Sequence, residues 1–117
     1  MTLERFLVLS AVLFSIGLYG VLTRRNAVSV LMAIEIMFNS VIIAAVAMSR
    51  YVVPAALRAN PSATEDTVVQ MVLTGQVFAI FIIAVAAAEV ALGLAIVIAV
   101  YRARGTVDVT ELNLLRR

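Results

Sequence analysis

Two glutamates lie inside long apolar stretches of this 117-residue chain, where a charged side chain is costly. Glu35 lies within residues 27–48 and Glu89 within residues 76–101, and each is the only acidic residue of its stretch. Ionisable groups in such settings usually serve a function. Because desolvation disfavours the anion, buried glutamates in proteins reach pKa values of about 8–9 and exchange protons near neutral pH. The residue types therefore indicate proton transfer as the candidate chemistry.

Two neighbouring carboxyl groups affect each other's protonation. Ionising one raises the pKa of a neighbour, so the protonation of the pair is coupled. Such coupling is the physical basis of a proton relay, which is the typical use of carboxylates inside membranes. We expect no catalytic residue in the usual sense and assign Glu35 and Glu89 to proton translocation.

Asn39 follows Glu35 by four residues, so both side chains lie on one face of a helix. This spacing allows a second interpretation, in which Glu35 is a structural residue that binds this helix to a neighbour, with Asn39 as its local hydrogen-bonding mate. The relay and the structural role both remain open at this point.

The composition places these residues in a membrane. The chain is 64% hydrophobic with a mean hydropathy of +1.12, far above the roughly 45–50% apolar content of soluble domains. With so short a chain, three apolar blocks leave no material for an extramembrane catalytic module. Cysteine and histidine are absent, which excludes thiol chemistry, iron–sulfur ligation and most transition-metal sites in this chain. We expect no cofactor and no metal here.

The fold class predicted is an all-α membrane protein, a single domain of three transmembrane helices. The spans are about 3–22, 27–48 and 76–101, with an outer loop at 49–75 and a cytoplasmic tail at 102–117. The 22 residues of the second span give about 33 Å of helix, against a hydrocarbon core of about 30 Å. The first span lacks a small-residue cleavage site, so we expect it to be retained. The TRRN turn predicts an antiparallel hairpin between spans one and two.

The arginines predict the orientation. Net charge is +2 with a pI near 9.7, yet the basic residues flank the spans and form no nucleic-acid patch. By the positive-inside rule the turn at Arg24 and Arg25 is cytoplasmic, the N-terminus is outside and the C-terminus is inside. The inner set is Arg24, Arg25, Arg102, Arg104, Arg116 and Arg117, and the outer set is Arg5, Arg50 and Arg58.

The depth of the two glutamates follows from the same topology. Glu35 is about 12 Å from the cytoplasmic end of its span, and Glu89 lies about 6 Å deeper, near the midplane. Alanines and Gly93 surround Glu89 and would let other helices or water approach it. The spans contain no histidine, lysine or interior arginine to act as a counter-charge. We therefore expect the chain to be a component of a larger assembly.

Four segments together resemble a known family. They are GLYGVLTRRNAV at the first turn, VLMAIEIMFNSV in span two, GQVFAIFIIAVAAAEVALGLAIVIAVYR in span three and the final ELNLLRR. The chain is similar to the K (4L-type) membrane subunit of respiratory complex I, the NADH-quinone oxidoreductase of bacteria and mitochondria. Equivalent subunits occur in the quinone-reducing complexes of cyanobacteria and plastids.

The resemblance implies a function and a set of partners. Glu35 and Glu89 correspond to the two membrane glutamates linked to proton translocation, supported by Asn39 and by the basic turn of Arg24 and Arg25. The chain would be a membrane-arm subunit, packed among A, J and N type subunits and more distant from the H type. Quinone, NADH or ferredoxin, flavin and iron–sulfur clusters would belong to those partners. The expected membrane is the bacterial inner membrane, or alternatively the thylakoid or mitochondrial inner membrane.

Two further possibilities stay open beside this one. The C-type small subunit of a multi-subunit cation/proton antiporter shares the helix pattern, and a purely structural packing subunit would use the glutamates only to hold helices together. A small multidrug exporter also uses a membrane glutamate, but the three spans argue against its usual four. One departure from the resembled family is expected at residues 51–73, a loop longer than is usual there.

Overall fold

The computed structural model describes residues 2–59 and 65–112. It contains three long helices, α1 (Leu3–Thr23), α2 (Ala27–Arg58) and α3 (Glu65–Arg104), followed by a short 3₁₀ turn at Val109–Glu111. The all-α fold class is confirmed. The positions 60–64 and 113–117, which include Pro61, Arg116 and Arg117 of the sequence predictions, lie outside the described residues.

Three segments of these helices are long and apolar enough to cross a bilayer. Among the described residues they are Leu3–Thr23, Ala27–Val52 and Leu73–Arg104. Their number agrees with the three spans predicted, because a stretch of about 20 apolar residues can satisfy its backbone hydrogen bonds in lipid only as a helix.

Much of the segment predicted as an outer loop at 49–75 is helical. α2 continues to Arg58 and α3 already begins at Glu65, so both helices extend well beyond the apolar stretches. Polarity marks where a helix leaves the membrane, but the backbone hydrogen bonds between successive turns can continue beyond that point. α2 also continues past Pro54, although a proline inside a helix removes one of these bonds and crowds the preceding turn.

α2 lies between the other two helices. It packs along both α1 and α3, whereas α1 and α3 share no extended interface within residues 2–59 and 65–112. Phe6 near the start of α1 contacts Tyr51 near the end of α2, with ring centroids 6.1 Å apart. This contact confirms the antiparallel hairpin predicted from the short TRRN turn.

Small and polar side chains hold α1 against α2. The sheltered positions of α1 alternate at spacings of three and four residues, as in left-handed helix packing. They are Leu3, Phe6, Ser10, Leu13, Gly17 and Gly20. Ser10 Oγ donates a hydrogen bond of 2.6 Å to the carbonyl oxygen of Ser40, which is 0% exposed. A Cβ added to Gly17 would lie 2.8 Å from the Ala33 carbonyl oxygen, so only glycine permits this distance.

α3 approaches α2 through a similar set of small residues. Ala79 and Ala86 are buried on α3. A Cβ on Gly75 would meet the side chain of Ser49. Because lipid gives no hydrophobic drive for helix association, such close backbone packing supplies the attraction by van der Waals contact.

The chain after α3 folds back onto the turn between α1 and α2. Gly105 ends α3 with a φ of 71°, a left-handed conformation typical of glycine at helix ends. The Ala27 amide then donates to the Val107 carbonyl oxygen at 2.9 Å, and the Val109 amide to the Arg25 carbonyl oxygen at 2.8 Å. We call this pairing of residues 25–27 with 107–109 the tail clasp. This part of the predicted tail at 102–117 therefore docks on its own chain.

Asp108 organises the tail clasp. Its Oδ1 accepts hydrogen bonds from the Thr110 hydroxyl at 2.6 Å and the Thr110 amide at 2.9 Å. These bonds, with a smaller contribution from the charge of Arg25, lower the pKa of Asp108 from its usual 3.8. The folded tail therefore favours the carboxylate over the acid.

We expect Gly17→Ala to destabilise the hairpin by about 1–3 kcal/mol, the usual cost of overpacking. The added Cβ would lie 2.6 Å from Met37 Cγ as well as against the Ala33 carbonyl oxygen. The measurement is the melting temperature of the purified protein in detergent. Gly93→Ala is the control, because its Cβ would meet only the flexible end of Leu31. Equal melting temperatures for both variants would contradict this account of the contact.

We expect Asp108→Ala to open the tail clasp at neutral pH. The two clasp amides, Ala27 and Val109, should then exchange hydrogen faster, which mass spectrometry or NMR in detergent can measure. Glu111→Ala is the control, since the Glu111 side chain is exposed and Asp108 makes the capping bonds. Unchanged exchange at both amides in Asp108→Ala would show that the carboxylate does not hold the clasp.

The same carboxylate gives the clasp a pH dependence of known sign. A carboxyl group with a lowered pKa stabilises the folded form above its unfolded pKa, and this contribution is lost as pH falls through the folded pKa. Protection of the clasp amides, corrected for intrinsic exchange, should therefore decline below the usual value of 3.8. Asp108→Ala should show no such decline.

Candidate functional site

The two glutamates come together between α2 and α3. Glu35 is half-buried on α2, and Glu89 lies on α3 beside the fully packed Ala86. Both line one small, partly open cavity of about 20 Å³. The packing of α2 against α3 thus places two carboxyl groups from distant parts of the sequence around a single space.

The cavity has an otherwise apolar wall. Its remaining lining consists of Leu31, Ile34, Phe38, Ala86 and Val90. Leu31, Phe38 and Ala86 lie three or four residues from a glutamate, as expected for neighbours on a helix surface. Ile34 and Val90 each adjoin a glutamate in the chain. A space of at least about 10–15 Å³ is needed for one water molecule, so the cavity is large enough for about one.

Glu35 has an unsatisfied oxygen. Its Oε2 is buried and has no hydrogen-bond partner among the described residues. A buried acceptor without a donor costs about 1–3 kcal/mol, so an oxygen in this position points to a donor supplied by water, by its own proton or by another molecule. Buried polar groups of this kind need an explanation beyond packing.

Glu89 differs from Glu35 in its surroundings. Its side chain reaches the cavity on one side, but the residue is exposed on the surface of the three-helix layer. The pair therefore connects an internal position with the outer surface of α3. An exposed carboxyl in an apolar span must face a polar group of another protein or a water-filled space.

Asn39 lies outside this arrangement. It does not line the cavity, its side chain is exposed, and the buried Oε2 of Glu35 takes no hydrogen bond from it. Asn39 thus presents an amide to the surroundings of α2, one turn from Glu35. The structure does not bring it into the cavity with the two glutamates.

The two arginines of the α1–α2 turn are also separate from the cavity. The start of α2 at Ala27 is eight residues before Glu35, or about 12 Å along the helix. Arg25 belongs to the tail clasp, and Arg24 lines a different, open groove between α1 and α2. Asn26 accepts hydrogen bonds from the amides of Val28 and Ser29, at 2.9 and 3.4 Å, and so caps α2.

Sequence reasoning missed the apolar side of the site. Leu31 lines the cavity on α2, and its position four residues before Glu35 was a signal that could have identified it. The role of Asp108 had no comparable signal, because the tail has no periodicity that indicates what it contacts. Within the described residues, no group of three acidic, histidine or cysteine side chains could hold a metal ion.

The sequence of this chain is similar to those of a known protein family. The family described as NADH-ubiquinone/plastoquinone oxidoreductase chain 4L matches residues 5–117. The chain is 50% identical over 116 residues to NADH-quinone oxidoreductase subunit K of Geobacillus kaustophilus, covering 99% of both chains. It is 47% identical over 116 residues to NAD(P)H-quinone oxidoreductase subunit 4L of Leptolyngbya boryana, again covering 99% of both.

These alignments also bear on residues 51–73. Coverage of 99% on both sides means that these relatives are of nearly the same length as this chain. The expectation that this region is longer than is usual in the family is therefore not supported by them. With three helices able to span a bilayer, a match over residues 5–117 and relatives of about half identical sequence, the chain is a multi-pass membrane protein that belongs to the NADH-ubiquinone/plastoquinone oxidoreductase chain 4L family.

Proposed function

We propose that this chain is a membrane-arm subunit of a proton-pumping NADH- or ferredoxin-quinone oxidoreductase, in which Glu35 and Glu89 couple quinone reduction to proton translocation. The observation that carries the proposal is the single cavity lined by both glutamates, with Glu35 Oε2 buried and unpartnered. The names of the relatives support the identity of the enzyme complex. The cavity supports the role proposed for this chain within that complex.

The geometry suits proton exchange between the two carboxyl groups. A proton moves efficiently between groups within hydrogen-bond reach, or through one intervening water. The cavity is large enough for about one water. Leu31, Phe38 and Val90 line the same space with apolar groups, so a charge on one carboxylate acts on the other more strongly than it would in water. Protonation of Glu35 and Glu89 is then coupled, and a change at one end of the pair is felt at the other.

A structural role for Glu35 fits less well. The chain shows what its structural polar contacts look like: Ser10 Oγ donates to the carbonyl of Ser40, and Ser40 Oγ donates to that of Met37, each at 2.6 Å. Both hydroxyls are satisfied within the chain. Glu35 Oε2 has no such partner among the described residues, which favours a role for this carboxyl group in proton exchange. The antiporter alternative is disfavoured by the relatives, which are named as quinone oxidoreductase subunits.

The proposal requires partner subunits. Glu89 is exposed in the middle of an apolar span, where it needs a polar group of a neighbouring subunit or a water-filled space between subunits. Asn39 is exposed one turn from Glu35 and supplies a second polar contact for a neighbour. We place A, J and N type subunits around the chain, with the H type farther away. NADH or ferredoxin, flavin, iron–sulfur clusters and quinone belong to the partners, and this chain holds no redox centre.

The orientation proposed puts the tail clasp on the cytoplasmic side. The clasp brings the arginine turn and the end of α3 to the same end of the layer, so Arg24, Arg25, Arg102 and Arg104 share that end. Only Arg5 and Arg50 are placed toward the other end among the arginines whose side chains are described. The positive-inside rule then gives an outer N-terminus and an inner C-terminus, in the bacterial inner membrane or, alternatively, a thylakoid or mitochondrial inner membrane.

Glu35→Gln and Glu89→Gln should each uncouple the enzyme. Glutamine keeps the size and polarity of the side chain but cannot release a proton, so proton pumping per quinone reduced should fall severalfold in the assembled complex. Proteoliposomes with a pH-sensitive dye measure pumping, quinone reduction is measured alongside it, and native gels measure assembly. Glu4→Gln, an exposed carboxyl in the first turn of α1, is the control. Loss of assembly with normal pumping per complex would instead establish the structural role.

Ala86→Val should also reduce pumping while leaving both carboxyl groups in place. Ala86 is 3% exposed and lines the cavity, so two added methyl groups fill the space between the glutamates. The matched control is Ala88→Val, which adds the same atoms at an exposed position of α3. Normal pumping by an assembled Ala86→Val complex would show that the cavity is not part of the route.

A further inference from the structure

An open groove of about 410 Å³ runs between α1 and α2 from the turn at Arg24. Its floor contains Gly20 and Ala33, which are in close contact because a Cβ on Gly20 would lie only 2.9 Å from the Ala33 Cβ. Its walls are mainly apolar and include Ile16 and Met32. We call it the Arg24 groove. We propose that it binds one anionic phospholipid, with the phosphate at Arg24 and an acyl chain along the apolar walls.

The two neighbouring arginines of the turn serve different contacts. The charge of Arg25 acts on Asp108 in the tail clasp, whereas Arg24 lines the groove. The guanidinium group of arginine presents a fork of N–H donors that matches phosphate geometry. Ser29, half-buried in the same lining, offers a hydroxyl as a second donor. The charged end of the groove is therefore complementary to a phosphate.

The position of the charge agrees with a lipid headgroup. Arg24 directly follows the last residue of α1, Thr23, and so lies where that helix leaves the hydrocarbon. Tyr19, which lines the groove, is 70% exposed, as expected for an aromatic side chain at the membrane interface. Basic pockets between transmembrane helices at the cytoplasmic side are typical sites for anionic lipid headgroups.

The length of the groove agrees with an acyl chain. From Arg24 to Ile16 the helix descends eight residues, or about 12 Å, which is close to one leaflet of a hydrocarbon core of about 30 Å. Met32 is 65% exposed and Ile16 is 54% exposed, so a chain lying between them would contact apolar side chains on both helices. An acidic residue of a partner subunit would match Arg24 alone and leave these walls unexplained.

The test uses the purified complex containing this chain, in vesicles of phosphatidylcholine with a small fraction of phosphatidylglycerol that carries a photoreactive acyl chain. After illumination, peptides are analysed by mass spectrometry. We expect labelling of residues 16–36 of this chain, reduced at least severalfold by excess unlabelled phosphatidylglycerol and little by phosphatidylcholine. No labelling there, or equal competition by both lipids, would overturn the proposal, including the case in which a partner's carboxylate covers Arg24.

A variant gives an independent measure. The Arg24→Gln complex should retain about one fewer anionic phospholipid per complex after purification, counted by lipid extraction. Arg104→Gln is the matched control, because it removes the same charge in the last turn of α3 outside the groove. Equal lipid counts in the two variants would contradict the site. If Arg24→Gln does not assemble, the labelling of the unmodified complex decides alone. Neither readout depends on proton pumping, so failure here leaves the proposed function untouched.

Discussion

The close approach of α2 to both of its neighbours is the constraint on which the rest of the structure depends. Lipid gives the helices no hydrophobic reason to associate, so contact between backbones must supply the attraction. Ala33, Ser40 and Ala47 recur at seven-residue intervals on α2 and are all buried. Gly17 on α1 and Ala86 on α3 face this helix and have little or no side chain to separate the backbones. Only because α3 approaches so closely do two carboxyl groups on different helices share one small cavity.

The tail clasp adds a second constraint at the arginine end. It connects the chain after α3 to the start of α2 by two backbone hydrogen bonds, and Asp108 holds the tail in the required shape. Glu35 lies eight residues into α2 and Glu89 fifteen residues before the end of α3 at Arg104. The clasp therefore connects the same two helices that carry the glutamates, and limits how far one can slide or rotate against the other.

The sequence was sufficient for the parts of this structure that composition and spacing decide. Three apolar stretches predicted three helices and the TRRN turn predicted the hairpin. Glu35 and Glu89, chosen as candidates for their cost in an apolar span, lie around one cavity. The sequence was not sufficient to locate the helix ends, because the helices extend beyond the apolar stretches. α2 and α3 continue as helices into the predicted loop at 49–75. It also gave no indication of the Asp108 contacts, because a single β-bridge between Asn26 and Asp108 depends on where α3 ends in space. The shared cavity could not be predicted from the sequence, because it depends on how α2 packs against α3. The spacing of residues along the chain carries no information about that packing.

Some buried polar groups of this chain have a hydrogen-bond partner within the chain and one does not. This difference favours a role in proton transfer for the glutamates. Ser10 and Ser40 are buried and their hydroxyls donate to carbonyl oxygens within the chain, so they stabilise the helix pair and need nothing else. Glu35 Oε2 is buried and lacks a donor, and Glu89 reaches the same cavity from an exposed position. A group that served only packing would be removed at little cost by an apolar side chain of the same size. A carboxyl group that leaves an oxygen unsatisfied costs stability in the isolated chain. The function proposed above gives that cost a physical explanation, because the missing donor is then an exchanging proton or a water molecule.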